Sequence, residues 1–280
     1  MYIVLISLGA GLIFYGLGAW MAGWIAGFIP GLLAAGVVGF LLFRKVSGEV
    51  RAVMEKAAAR LQAPVTTEQA QEQMIEEAKK ILLSALIYRR WWFAIPEQVH
   101  GQIGQLSYAE AVRLKLQKKL TPYKEKLTEA KTSLALAWSR DWQSNMVLGL
   151  VHHREGQVDA AIDAFKKAAP SVSGQPMFWG IYAWVLLEAR KRDEALQVLA
   201  SGLKTSPKDA NLIAMQEALS NKRRADMKIW GEPWYNLFPE EIPQEVLMEM
   251  ARKAGVAPQR PRGPVPQKGP PPMRGGGRPR

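Results

Sequence analysis

The side chains best suited to catalysis are few in this 280-residue chain, which has no cysteine and three histidines. His152 and His153 are adjacent, and successive helical residues point about 100° apart, so their imidazoles cannot act together from one helix face. His153 and Glu155 also lack the spacing of two metal ligands on one face. The third histidine, His100, is predicted to lie in a solvated loop formed by residues 96–104.

Phosphate chemistry has no recognisable site either, because the glycine pattern of a P-loop is missing from the sequence. Catalysis requires a nucleophile, a proton carrier or a metal held in a defined geometry, and the sequence suggests none of these arrangements. We therefore expect a binding protein rather than an enzyme, with no metal and no cofactor.

The strongest constraint on function is the apolar beginning of the chain. Residues 1–43 contain no Asp, Glu, Lys, Arg or His, and Arg44 and Lys45 follow at once. A helix crosses a bilayer with about 20 apolar residues, so this segment has the length of two crossings. We predict a transmembrane hairpin over residues 1–45, with helices at residues 2–17 and 24–43.

Charge predicts the orientation of this hairpin. Arg44, Lys45 and Arg51 follow the second helix and the predicted turn has no cation, so both chain ends are expected on the cytoplasmic side. A secretory signal peptide is the main alternative, but no Lys or Arg precedes the apolar run. We expect an integral membrane protein, and the lack of cysteine agrees with a reducing compartment.

Small residues recur at every fourth position of the second predicted helix, at Gly23, Gly27, Gly31 and Ala35. With this spacing they line one edge of the helix and let another backbone approach closely. Either the first helix of the hairpin or a second copy of the chain can occupy this edge, and we favour the first helix.

The remaining sequence has helical periodicity, so we predict an all-α fold. Residues 46–100 are interpreted as a juxtamembrane helical stalk, with a capping box at residues 66–69. Residues 88–95 combine two cations with Tyr88 and three further aromatic side chains, Trp91, Trp92 and Phe93. They either pack against the folded helices or lie on a membrane surface, and we favour packing.

Seven cations make the next predicted helix pair, residues 108–120 and 122–138, strongly basic. A capping box at residues 107–110 predicts where the pair begins. A solvated helix face explains the charge most simply, and an acidic partner or anionic lipid is the alternative. The cations are Arg113, Lys115, Lys118, Lys119, Lys124, Lys126 and Lys131.

From Trp142 onward, small and bulky residues recur at an interval of 34 positions. They are Leu148, Gly149, Gly156, Ala161, Phe165 and Ala168 in one unit, and Trp179, Ala183, Ala195, Leu199, Gly202 and Pro207 in the next. The pattern resembles the tetratricopeptide repeat, a helix pair with a period of 34 residues. The resemblance implies that residues 101–225 form a short α-solenoid with a capping helix.

The resemblance also implies that a concave groove, lined by the first helix of each repeat, binds protein partners. The expected groove residues are Gln143, Met146, Leu150, His153, Arg154, Met177, Trp184, Leu187 and Glu188. Because this surface is mostly apolar, we expect a partner or the chain itself to cover it. Residues 228–238, the aromatic segment, are the candidate for self-covering, with Trp230 and Trp234 docking on the repeats.

Residues 226–255 are thus predicted to hold the aromatic segment and a short helix. Residues 256–280 contain eight prolines and no acid, and they carry half of the net charge of +12. This composition predicts a disordered basic tail. Contact of the tail with anionic lipid or an acidic protein is favoured, a featureless solvated linker is the second interpretation, and RNA binding is the third.

These features predict a membrane-anchored adaptor that recruits protein partners at the cytoplasmic face of the membrane. The arrangement resembles bacterial inner-membrane repeat proteins that scaffold envelope assemblies. Two other functions stay open. The hairpin can serve as an integral subunit of a transport or secretion complex, or the tail can bind nucleic acid or anionic lipid.

Overall fold

The first two helices form an antiparallel hairpin. The computed structural model describes residues 2–64, 67–246 and 248, and begins with α1 (Tyr2–Ala22) and α2 (Trp24–Leu61). Gly23 alone separates them, with a φ of 91° that glycine adopts without steric cost. The predicted end of the first helix at residue 17 was wrong, because residues 18–22 continue α1 up to this one-residue turn.

Close backbone contact holds the hairpin together. A Cβ atom added to Gly27 would lie 2.5 Å from the Tyr15 carbonyl oxygen, and one added to Gly31 would lie 2.8 Å from the Gly11 carbonyl oxygen. Ala35 lies opposite Gly11 on the same face. Gly23 does not belong to this packing face, since it forms the turn. Both helices are long and apolar enough to cross a membrane.

Helix α2 is longer than predicted. Its 38 residues extend for about 57 Å, so the apolar half and the stalk predicted at residue 46 are one continuous helix. The second half of α2 packs on α3 (Glu68–Ser84). Thr67 caps α3 by accepting a hydrogen bond from the Ala70 amide at 3.2 Å, whereas Thr66, the predicted cap, lies outside the described residues.

The rest of the described chain is also helical, with no strand among the described residues. The further helices are α4 (Ala94–Leu116), α5 (Leu120–Ala135), α6 (Trp142–Arg154), α7 (Val158–Ala168), α8 (Pro176–Glu188), α9 (Arg192–Thr205), α10 (Ala210–Ser220) and α11 (Glu232–Leu237). Short 3₁₀ helices occupy Ala85–Arg90, Ala169–Ser171, Met227–Trp230 and Pro239–Glu241. Helix α4 packs on α5, α6 on α7, and α8 on α9.

Helix α4 corrects two predictions. It runs through the loop predicted for residues 96–104 and past the start predicted at Ser107, and it includes His100, which is half-buried. The glycines that suggested a loop instead allow close packing. A Cβ atom on Gly104 would lie 2.5 Å from Leu134 of α5, and one on Gly101 would lie 2.6 Å from the Ser144 hydroxyl of α6.

Helices α4, α6, α8 and α10 end in the same way. Each is followed by a residue with φ between 57° and 76°, and the next amide bonds back to a carbonyl five residues earlier. These Schellman-type ends satisfy carbonyls that a helix otherwise leaves unpaired. The left-handed residues are Lys118, Gly156, Arg190 and Lys222. This ending thus occurs on both sides of the two clear sequence repeats, and helices α4 to α10 are called here the helical array.

Residues 1–239 form one unit, and residues 240–280 form a second. Of the second unit, the structure describes residues 240–246 and 248. The predicted tail, residues 256–280, lies outside the described residues, as does most of the last predicted helix.

Candidate partner-binding surface

The repeated small residues allow the helices of the array to pack closely. A Cβ atom on Gly149 would lie 2.6 Å from the Phe165 ring, and one on Gly202 would lie 2.7 Å from Trp179. Leu148 is half-buried, Gly156 ends α6, and Pro207 is exposed. The other predicted packing residues are all fully buried, namely Ala161, Phe165, Ala168, Ala183, Ala195 and Leu199.

The predicted groove residues divide into three groups. Leu150 is fully buried and belongs to the core, so it cannot contact a partner as predicted. His153, Arg154 and Trp184 lie beneath or beside the aromatic segment. The others are exposed or half-buried and remain accessible, namely Gln143, Met146, Met177, Leu187 and Glu188.

The aromatic segment docks on α8 through a cluster of three rings. Trp234 is fully buried, and its ring meets the Trp184 ring edge-on at 5.2 Å. Phe238 stacks on Trp234 at 4.1 Å and contacts Trp184 at 5.1 Å. Offset and edge-on pairs of this kind stabilise a packed cluster beyond simple burial.

Trp230 makes a second contact between the aromatic segment and α8. A Cβ atom on Gly180 would lie 2.6 Å from Cζ2 of Trp230, so the indole occupies the space that glycine leaves open. The predicted docking of Trp230 and Trp234 is therefore confirmed for helix α8, on which both side chains pack. The sequence analysis did not identify Gly180 as a contact residue, because nothing in the repeat pattern indicates a bulky partner at that position.

Arg154 joins three parts of the fold. Its Nη2 donates a hydrogen bond to the Leu237 carbonyl at 2.9 Å, and its Nε donates to the Tyr108 hydroxyl of α4 at 3.0 Å. The guanidinium carbon also lies 5.1 Å from the centre of the Phe238 ring, a distance that favours a cation–π interaction. Arg154 therefore holds the end of the aromatic segment against α4 and α6.

Burial favours the neutral form of His153. Its ring lies 4.6 Å from the Trp184 ring, and burial lowers the pKa of the imidazole, although the nearby Glu188 carboxylate opposes this shift. The buried Nδ1 atom has no hydrogen-bond partner among the described residues. A proton on His153 would thus be poorly solvated beside the ring cluster.

A buried group of charges connects α3, α4 and α5, and it was not predicted. The Lys79 ammonium lies 2.8 Å from a Glu129 oxygen and 3.2 Å from a Glu110 oxygen. Lys126 lies 2.9 Å from Glu76 and also contacts both of those carboxylates. The available signal was that Lys79 shares a helix face with the apolar residues four before and three after it.

Hydrogen bonding outweighs desolvation in this group. Burial disfavours the charged form of Lys126, yet bonds to the three glutamates raise its pKa. Burial likewise opposes ionisation of Glu129, but bonds from Lys79 and Ser107 lower its pKa. The bond from Lys126 lowers the pKa of Glu76. All three side chains are therefore charged at neutral pH.

The basic run of α4 and α5 is largely paired within the protein. Lys119 lies 3.2 Å from Glu68, Lys131 lies 2.6 Å from Glu155, and Arg113 donates a hydrogen bond to Gln71 at 2.8 Å. Together with Lys126, these contacts account for four of the seven cations and give them a structural role.

The sequence matches no known protein family and no curated protein. Within residues 2–64 and 67–246, no three His, Asp or Glu side chains are grouped as metal ligands. The candidate site for partner binding is the surface around α6 and α8, with its aromatic cover.

Proposed function

We propose that this chain is a membrane-anchored adaptor that holds protein partners at the bilayer surface. The hairpin of α1 and α2 inserts in the membrane, and the helix pairs from α4 to α10 form a tetratricopeptide-like array beside it. The proposed location is the cytoplasmic face of a bacterial inner membrane. The cations that follow the apolar segment favour this side of the membrane.

The apolar surface of the hairpin supports the membrane anchor. Many of its largest side chains point outward, where water would be unfavourable by about 25 cal/mol for each Å². Examples with 63 to 85 % exposure are Leu12, Ile13, Trp20, Ile25, Leu32 and Phe40. Because the small residues face inward between the two helices, lipid is the environment that fits the outer face.

The observation that carries the proposal is the shared core of the hairpin and the helical array. Ile3 of α1 and Val46 of α2 are buried in one cluster with Leu82 of α3 and Val99 of α4. Helix α2 is continuous between its apolar and polar halves. The array is therefore attached to the anchor by packed helices rather than by a flexible linker, which fixes the height of the array above the bilayer.

Three features support the comparison with tetratricopeptide repeats. Helices α6, α8 and α10 begin 34 residues apart, which is the period of that family. The first helix of each pair ends with the same left-handed turn. Gly149 and Ala183, at equivalent positions, both lie where helices pack closely. Arrays of this type bind partners through their extended concave surface.

A photo-crosslinking experiment tests the adaptor function. A photoreactive residue at Met177 of the full chain, irradiated in native membranes, is expected to capture a protein partner. The same residue at Ile213 of α10 is the matched control, since Ile213 is exposed and is not one of the predicted groove residues. Release of the aromatic segment by Trp234→Ala should raise the yield at Met177. The adaptor function would be contradicted if neither position captured a protein, in the unsubstituted chain or in Trp234→Ala.

A further inference from the structure

The connection between α3 and α4 exposes an unusual combination of side chains. Leu83, Ile87 and Phe93 are 44, 71 and 68 % exposed, and the exposed cations Arg89 and Arg90 lie among them. These five residues are named here the interfacial patch. Apolar side chains interspersed with cations are typical of segments that lie in the headgroup region of a bilayer.

The patch lies at the level where the apolar hairpin ends. The Arg90 guanidinium donates a hydrogen bond to the Tyr2 hydroxyl at 3.4 Å, at the beginning of α1. Trp92 packs on Phe43 with a ring distance of 4.9 Å, and Phe93 stacks on Trp92 at 5.3 Å. Phe43 is the last residue before the cations Arg44 and Lys45. Both ends of the hairpin are therefore in contact with the segment that carries the patch.

The outer surface of the hairpin is continuous with this segment. A groove of about 410 Å³ is lined by Ile3, Val4, Leu8, Phe40, Phe43 and Trp92, together with two small residues. Trp92 thus forms the junction between the lipid-facing side of the hairpin and Phe93. Hydrocarbon that covers the hairpin would therefore meet Trp92 and, stacked on it, Phe93 of the patch.

We propose that the interfacial patch is a binding site for anionic phospholipid. Ile87 and Phe93 enter the boundary between headgroups and acyl chains, and Arg89 and Arg90 contact lipid phosphate. Cations near an anionic leaflet are attracted over about one Debye length, so both guanidinium groups lie within effective range. The inference rests on the proposed membrane anchor. It adds a third contact with the bilayer, which orients the helical array.

Single cysteine labels test this proposal cleanly, because the chain has no cysteine of its own. The variants are Ile87→Cys and Phe93→Cys in the patch, Val37→Cys on the hairpin and Ile213→Cys on α10, and all four native side chains are exposed. Each full-length variant carries a polarity-sensitive fluorophore in vesicles that contain lipids with quenchers at shallow or deep positions. The vesicles consist of phosphatidylcholine alone or mixed with phosphatidylglycerol.

We expect a blue shift and loss of emission from shallow quenchers at positions 87 and 93, stronger when phosphatidylglycerol is present. The label at position 37 should lose emission to deep quenchers in both kinds of vesicle. The label at position 213 should not be quenched by shallow or deep quenchers. If the label at position 37 is quenched while those at 87 and 93 behave like the label at 213, the patch faces water or protein. The lipid-binding proposal then fails, and the membrane anchor is unaffected. If quenching at positions 87 and 93 is equal with and without phosphatidylglycerol, the patch does not bind anionic lipid and that part of the proposal is refuted. If position 37 is not quenched, the membrane anchor fails as well.

Discussion

Substitution of Trp234 by alanine is expected to release the aromatic segment from the array. The side chain is fully buried between Trp184 and Phe238, and truncation of a buried tryptophan costs about 3–5 kcal/mol. The remaining links are the packing of Trp230 on α8, the contact of Phe238 with Trp184, and the hydrogen bond and cation–π contact of Arg154. The Arg154 hydrogen bond contributes about 1.5–3 kcal/mol, so truncation of Trp234 removes at least as much free energy of docking as that bond supplies.

Hydrogen exchange of backbone amides measures this release directly. A change of 3–5 kcal/mol corresponds to exchange by local opening that is faster by about 150-fold to 4,000-fold. The reporting amides are those of Tyr235 and Phe238, which bond to the Gly231 and Trp234 carbonyls within the segment. Amides in the centre of α8 should keep their rates, because the core of the array does not depend on Trp234.

Two matched variants make the experiment decisive. Ile229→Ala changes a 40 % exposed residue of the same segment and should alter exchange less than about threefold. Trp138→Ala removes a tryptophan that is 42 % exposed and outside the contact. If Trp234→Ala also leaves the Tyr235 and Phe238 amides unchanged, the docking is not maintained by the ring cluster and the reasoning is refuted.

Three further predictions concern the hairpin, the buried charges and the buried imidazole. Gly31→Leu should separate α1 from α2 and lower the thermal unfolding midpoint in detergent, whereas Gly36→Leu, with open space around it, should not; equal midpoints would contradict the packing. Lys79→Ala should lower the free energy of unfolding by about 2–4 kcal/mol, against less than about 0.5 for the exposed Lys80→Ala, and similar losses would exclude a buried ionic role. Because folding lowers the pKa of His153, the stability gained from its neutral form is fully present above the ordinary value of 6.5 and is lost as the pH falls through the lower folded pKa. The unfolding midpoint should therefore fall as the pH is lowered from 6.5 through the folded pKa, and His153→Gln should make this fall smaller. A pH profile of the midpoint that is the same in His153→Gln would contradict the role of His153.

Much of the helical array could be predicted, because its positions are set by local periodicity. The two clear repeats gave Gly149, Phe165, Ala161 and Ala195 as packing residues, and all four lie in the helical core. The docking of Trp234 could also be predicted from the sequence, since exposure of a segment so rich in aromatic residues to water is unfavourable. In both cases the residue type itself carried the information.

The predictions that failed depended on contacts distant in sequence. Gly101 and Gly104 resemble loop residues until α5 and α6 are known to pack against them. Lys79 resembles a surface residue until Glu110 and Glu129 are brought to it from two other helices. Local patterns do not encode such approaches, which arise only when the helices assemble.

The end of helix α1 was also mispredicted. Glycine and alanine in residues 16–22 suggested a broad turn, but they remain helical when their backbone hydrogen bonds are made within an apolar helix. Only Gly23 reverses the chain, because a positive φ at one residue is sufficient. Likewise, the change from apolar to charged residues at Arg44 marks an environment and not the end of helix α2.

The central claim is that the hairpin anchors the array in a bilayer. The most direct measurement is the distribution of the full-length chain after membranes are washed with alkaline carbonate. The account predicts that the chain stays in the membrane pellet and is released only by detergent. Recovery of the intact chain in the aqueous fraction, without detergent, would contradict the account.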